Sequence, residues 1–122
     1  MASELRVNTL KDASGNNSVA TSVVFNGTAK AWCDADNAAQ PQDSFNISGG
    51  VDNGTVDYQF NLSSSMGSAN YCVPNSPGFA QISCFDHGDI TSSRYDIRIF
   101  ARTDSLTVTD DPTHSVVHGD LA

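Results

Sequence analysis

Hydrophobic and polar residues alternate most strictly between Val56 and Leu62, where Val56, Tyr58, Phe60 and Leu62 fall on one side and Asp57, Gln59 and Asn61 on the other. A period of two is that of a strand buried on one face. Phe45 and Ile47 upstream read as its partner. The Asn53-Gly54 step between them tolerates the positive φ angles of a tight reversal, so the stretch from Asp43 to Leu62 predicts an antiparallel hairpin. A second alternating run spans Ser93 to Thr103, with Tyr95, Ile97, Ile99 and Ala101 set against Arg94, Asp96, Arg98, Phe100 and Arg102.

Shorter patterns fill the remainder. Leu5, Val7 and Thr9 alternate with Glu4, Arg6 and Asn8, predicting an extended segment that ends at the turn-rich KDASGNNS. Ser18–Phe25 and Thr28–Cys33 read as β-rich runs, DADNAAQPQD as an exposed loop, and SSSMGSAN as a polar bend with Met66 filling a gap over the core. Tyr71–Val73, Ala80–Phe85 and Leu106–Thr109 predict further short strands. Pro74 and Pro77 break the chain between the first two, Asp86–Asp89 predicts a turn, and the residues after Pro112 predict an extended arm. The expected fold is all-β, an antiparallel β-sandwich of about seven to nine strands. Residues 1–27 are assigned to an extended N-terminal attachment and oligomerisation segment and residues 28–122 to the sandwich domain. Leu5, Val7 and Leu10 have no evident partner within one chain, so the segment either pairs with the sheet edge or buries these residues against other copies.

Composition supports strands over helices. Glu4 is the only glutamate and Lys11 and Lys30 the only lysines, while Val, Thr, Ser, Asn and Asp are abundant. A net charge of −8 and an acidic pI near 4.3 argue against nucleic acid, whose phosphates require clustered Lys and Arg. No apolar run approaches the roughly 20 residues of a membrane helix and the first ten residues lack a signal-peptide core, so synthesis in the cytoplasm without membrane insertion is expected. The sequons at Asn16, Asn26, Asn46, Asn53 and Asn61 then reflect an Asn- and Ser-rich composition. Cys33, Cys72 and Cys84 have no CxxC spacing; all three are expected reduced and buried or half-buried, with a Cys72–Cys84 bridge as the alternative.

The series AKAW (Ala29–Trp32), DSFN with Ser48, DNGTVDYQFN (Asp52–Asn61), Met66 and Asn70-Tyr71 resembles the small all-β domain at the tips of phage tail fibres, particularly those of marine phages. The N-terminal LRVNTLKDASGNNS resembles the segment that often leads into that domain. The likeness spans about residues 5–73 and contains no catalytic signature. It implies a homotrimer and a virion location, reached after synthesis in the host cytoplasm, with other virion proteins and a host-surface glycan as partners. In that family the domain usually ends a much longer fibre. A 122-residue chain beginning at Met1, without a shaft, is therefore expected to be a short peg, an adaptor tip or a head-surface decoration.

The candidate chemistry is sparse. Trp32, the only tryptophan, reads either as a sugar-stacking platform or, preferably, as a core or subunit-interface anchor. Arg94, Arg98 and Arg102 share a face with Phe100; that face would take a carboxylate-bearing glycan or an acidic neighbouring subunit unless it pairs internally with Asp57, the preferred reading. Asp34, Asp36 and Asn37 lack the glycine and distal glutamate of a calcium loop, and His114 and His118 do not converge on an extended arm, so no metal or other cofactor is expected. His87 between Asp86 and Asp89 is the most site-like arrangement, yet no nucleophile or oxyanion motif accompanies it. The functional expectation is a non-enzymatic virion structural protein, a short homotrimeric fibre or knob on the particle surface (tail-fibre tip, head fibre or capsid decoration). The alternative is a lectin-like carbohydrate-binding module, which needs Trp32, Tyr95 or Phe100 exposed beside polar groups in a shallow groove.

Overall fold

The computed structural model of the chain describes residues 3–79, 81–100 and 109–122, and of His87 the backbone alone. It is mostly β. The elements in order are β1 (Thr9–Lys11), β2 (Ser18–Ala20), α1 (Thr21–Gly27), β3 (Ala31–Ala35), β4 (Pro41–Phe45), β5 (Ile47–Gly54), β6 (Asp57–Leu62), β7 (Asn75–Pro77), β8 (Ile82–Thr91), β9 (Arg94–Phe100) and β10 (Thr113–Val117). Strands β1 and β2 form a hairpin, while two four-stranded sheets run β4-β3-β10-β7 and β5-β6-β9-β8. Every strand pairing among the described residues is antiparallel.

The core follows from the alternation. Ala31, Cys33, Ala35 and Val117 of the first sheet and Tyr58, Phe60, Leu62, Tyr95, Ile97 and Ile99 of the second belong to one buried cluster, joined by Met66, Tyr71 and Val73. Small residues on β3 and large ones on β6 and β9 share this cluster, and each fully buried large side chain contributes about 1.5–3 kcal/mol. Phe60 and Tyr95 stack at 5.4 Å between ring centroids. Met66 does lie over the core, at 1% exposure, in the bend whose backbone bridges to Leu121.

The hairpin expected across residues 43–62 is divided between the sheets. Phe45 ends β4 opposite Trp32, and only from Ile47 does the chain pair with β6. Asn46 makes the corner with a φ of 57°, a left-handed conformation that Asn tolerates. Its side chain completes the joint, donating to the carbonyls of Lys30 and Ser64 and accepting from the Ser64 amide. The reversal itself falls at Thr55-Val56, beyond Asn53-Gly54, and Val56 is a half-buried turn residue with a φ of 66° rather than a strand residue. That conformation is unfavourable for a β-branched side chain. It is held from both sides, since the Val56 amide donates to Asp110 Oδ1 at 2.8 Å and its carbonyl accepts from Ile99.

Four other expectations are corrected. The run Ser18–Phe25 is strand only to Ala20 and then turns into α1, whose end is fastened where Thr28 donates to Val24 and the Lys30 ammonium bonds the Phe25 carbonyl. A cation at a helix C-terminus is favourable. Asp86–Asp89 is irregular backbone inside β8, and the turn lies at Ser92-Ser93. Pro74 precedes a short strand, β7, and Pro77 ends it, which is tolerated because β7 is a sheet edge. The C-terminal stretch is no arm: β10 sits between β3 and β7, in the interior of its sheet. Ala101, Arg102 and all but Thr109 of the strand expected over Leu106–Thr109 lie outside the described residues, as does Ala80, where the strand Ala80–Phe85 is expected to begin.

The N-terminal segment differs from the head in kind. Leu5 and Val7 precede β1 and lie outside any strand, and Leu5, Val23 and Phe25 are 82%, 58% and 69% exposed. The hairpin is closed by its own polar turn, in which Asp12 accepts from Ser14 and Asn17 and Gly15 takes a φ of 72°.

Candidate functional site

On β3 the inward residues Ala31, Cys33 and Ala35 leave Trp32 and Asp34 on the outer face of the sheet, and on β10 the inward Thr113, Ser115 and Val117 leave His114 and Val116 there. Register then assembles two rows. Phe45, Trp32 and Val116 stand opposite one another, and Asp43, Asp34, His114 and Ser76 form the adjacent row. Directly opposed residues of an antiparallel pair hold their Cβ atoms about 5 Å apart on one face. The result is an open groove of about 530 Å³ whose floor is Val116 and His114, with Trp32 and Asp34 along one side and Pro74 and Ser76 along the other.

Trp32 is 37% exposed and therefore not a core anchor. His114 Nδ1 lies 3.1 Å from Asp34 Oδ1, with both side chains about half exposed at 52%. The contact sets the imidazole beside the carboxylate, with Nδ1 toward Asp34 and Nε2 on the far side of the ring. Indole, imidazole, carboxylate and hydroxyl thus converge on a surface able to stack on an apolar ring face and to exchange hydrogen bonds at its edge. Sequence reasoning singled out Trp32 here, weighed Asp34 and His114 only as metal ligands, and missed Ser76 and Val116. The alternation of Thr113, Ser115 and Val117 against His114 and Val116 was the available signal, but its inward positions are partly polar.

The outer face of the other sheet is charged. Arg98 is surrounded by carboxylates, with Nη2 3.3 Å from Asp57 and 3.8 Å from Asp89 and Nε 2.7 Å from Asp86, the last an ion pair without an aligned hydrogen bond. Arg94 donates to Gln59 Oε1 at 3.1 Å and to the Asp89 carbonyl at 3.3 Å. Between them Asp96 is 4% exposed, directly opposite Asp86 and Gln59, and its Oδ1 has no hydrogen-bond partner. Burial pushes the Asp96 carboxyl up to about 6; Arg94 opposes the shift, and the charges of Asp89, Asp57 and Asp86 add to it. The guanidinium groups of Arg94 and Arg98 are therefore taken up internally. Phe100 is exposed at the far end of β9 beside Ile82.

Asp36 is a turn former, its Oδ1 accepting from the Ala38 and Gln40 amides and its Oδ2 from Gln42. Among the described residues no group of three His, Cys, Asp or Glu is placed to hold a metal ion. The side chain of His87 lies outside the described residues. Cys33, Cys72 and Cys84 are free thiols; Cys33 is buried, but Cys72 and Cys84 are exposed, against the expectation that all three are at least half-buried. Burial, with a smaller push from Asp34, raises the Cys33 thiol to about 11, far from a reactive thiolate. The phenol of Tyr71 is raised to about 12, mainly by burial, and donates to the Thr91 and Arg94 carbonyls that flank the β8–β9 turn. Tyr95, the other residue on which a sugar site was conditional, is fully buried. Within the described residues no helix is long and apolar enough to cross a membrane.

No family model, no curated protein and no solved structure matches this chain.

Proposed function

We propose that this chain is a non-enzymatic structural protein of a bacteriophage particle, a short homotrimeric fibre or knob on its surface, at a tail-fibre tip or as a head fibre or capsid decoration. In this reading the two four-stranded sheets pack face to face as a β-sandwich head, and residues 1–27 attach and trimerise it. The observation that carries the reading is the contrast between head and N-terminal segment. The buried apolar cluster draws on residues from Ala31 to Val117, while the preceding hairpin and helix leave Leu5, Val23 and Phe25 largely exposed. A two-stranded hairpin and a seven-residue helix are too small to be stable alone, so a segment of this kind gains its order by docking. Three copies sharing an axis would bury these side chains at about 25 cal/mol per Å². Light scattering of the purified chain and immunogold labelling of intact particles test it. A monomer at micromolar concentration on particles that bear no label would overturn it.

A second reading, a lectin-like carbohydrate-binding module, is favoured by Trp32 standing exposed in a groove beside Asp34, Ser76 and His114. The two are compatible, since a particle appendage that binds host glycans is both.

A further inference from the structure

We infer that the groove over β3, β10 and β7 binds a neutral pyranose and discriminates against acidic sugars. The inference rests on the carbohydrate-binding reading and adds the site, the sugar class and the role of each side chain.

The geometry suits a single ring. Trp32 and Ser76 stand on strands two spacings apart, about 10 Å, with His114 and Val116 on β10 between them. The indole offers a flat apolar wall for the C–H face of a sugar, Val116 an apolar floor, and Pro74 a second apolar side. Hydroxyls at the ring edge require donors and acceptors in fixed positions. The Asp34 carboxylate supplies an acceptor, the His114 imidazole beside it a ring nitrogen, and Ser76 a hydroxyl able to act either way. Asp34 is committed to His114 through Oδ1 alone.

Charge decides the class. Asp34 stands opposite Asp43 in the register, the chain carries a net charge of −8, and among the described residues no Lys or Arg lines the groove. A sialate or uronate carboxylate would be brought against Asp34 without a lysine or arginine to receive it, the arrangement by which sites reject a ligand. The described arginines that could have received it, Arg94 and Arg98, belong to the other sheet and are paired there.

The only tryptophan of the chain is the proposed platform, so its emission reports on the site. The full-length chain is titrated with methyl glycosides of glucose, galactose, mannose and N-acetylglucosamine, with neutral oligosaccharides ending in them, and with sialyllactose. A saturable shift of Trp32 emission is expected with at least one neutral sugar and none with sialyllactose. Saturation-transfer NMR, which does not need the indole, is expected to show the neutral-sugar signal lost in Trp32→Ala and weakened about tenfold in Asp34→Asn and His114→Ala, variants at exposed positions whose melting should match the wild type. Binding of sialyllactose alone, or neutral binding unaffected by these substitutions, would overturn the inference and leave the carbohydrate-binding reading standing. An absence of all sugar binding would sink both. So would a sugar-independent blue shift that grows with protein concentration, which would mark the face as a contact between copies. None of these outcomes bears on whether the chain sits on a particle.

Discussion

The hydroxyl of Tyr95 on β9 and that of Ser115 on β10 lie 2.7 Å apart, a buried hydrogen bond that joins the two four-stranded sheets through their common core. Both residues are surrounded by apolar side chains, so neither hydroxyl has water to fall back on.

Tyr95→Phe should therefore strand the Ser115 hydroxyl and cost about 1–3 kcal/mol. The double variant Tyr95→Phe/Ser115→Ala removes both partners and should recover much of that loss. Denaturant unfolding of the four proteins in the cycle measures the coupling. Additive losses would mean that the bond contributes nothing beyond its separate groups.

Gly50 on β5 faces the Ala39 turn so closely that an added Cβ would fall 1.8 Å from the Ala39 carbonyl oxygen. A backbone atom cannot swing aside as a side chain can. Gly50→Ala should force the two loops apart and lose at least about 1–3 kcal/mol, an overpacking cost. Gly49→Ala, with open space at its Cβ, is the control and should melt close to wild type.

The buried Asp96 makes stability depend on pH. Its carboxyl titrates near 6 in the folded chain, against about 3.9 unfolded. The folded state therefore binds the proton more tightly, and the stabilisation from this group is full below about pH 4 and lost as pH rises through 6. Asp96→Asn should leave stability nearly unchanged at pH 4 and raise it at pH 7.5 by on the order of 2 kcal/mol. Thermal melts of both proteins across this range are the check. A variant less stable than wild type at pH 7.5 would show that the Asp96 charge is held by Arg94 and Arg98 more firmly than it is repelled by Asp57, Asp86 and Asp89.

Deleting residues 1–28 removes no member of the buried cluster. The truncated chain should remain folded, with far-UV dichroism like that of the head. It should also lose the self-association assigned to the segment, read by light scattering at matched concentrations. Loss of the fold on truncation would show that the segment is part of the domain core.

The alternating runs around Tyr58–Leu62 and Tyr95–Ile99 were legible because each places three large apolar residues on one face, a demand that only a half-buried strand satisfies. They alone determined that the protein is mostly β and which side chains its core is built on. The turn at Asp12–Asn17 and the burial of Met66 were legible for the same kind of local reason.

The sheet membership of those strands was not. The step from β4 to β5 across Asn46 moves the chain from one sheet to the other without any break in polarity, and the positive φ at Val56 goes against the preference of its own residue type. Such conformations are imposed by long-range bonds, here to Asp110 and Ile99. Residues 113–117 carry too little apolar surface to declare themselves a strand. They become an interior one because β3 and β7 offer their unpaired backbone groups on either side. That placement also builds the groove: His114 meets Asp34 and Ser76, distant in sequence, only through register. The chain by itself determined its class of fold, while tertiary pairing decided that its single indole is exposed and which polar groups stand beside it, because cross-strand neighbours depend on which backbones pair and not on any local pattern.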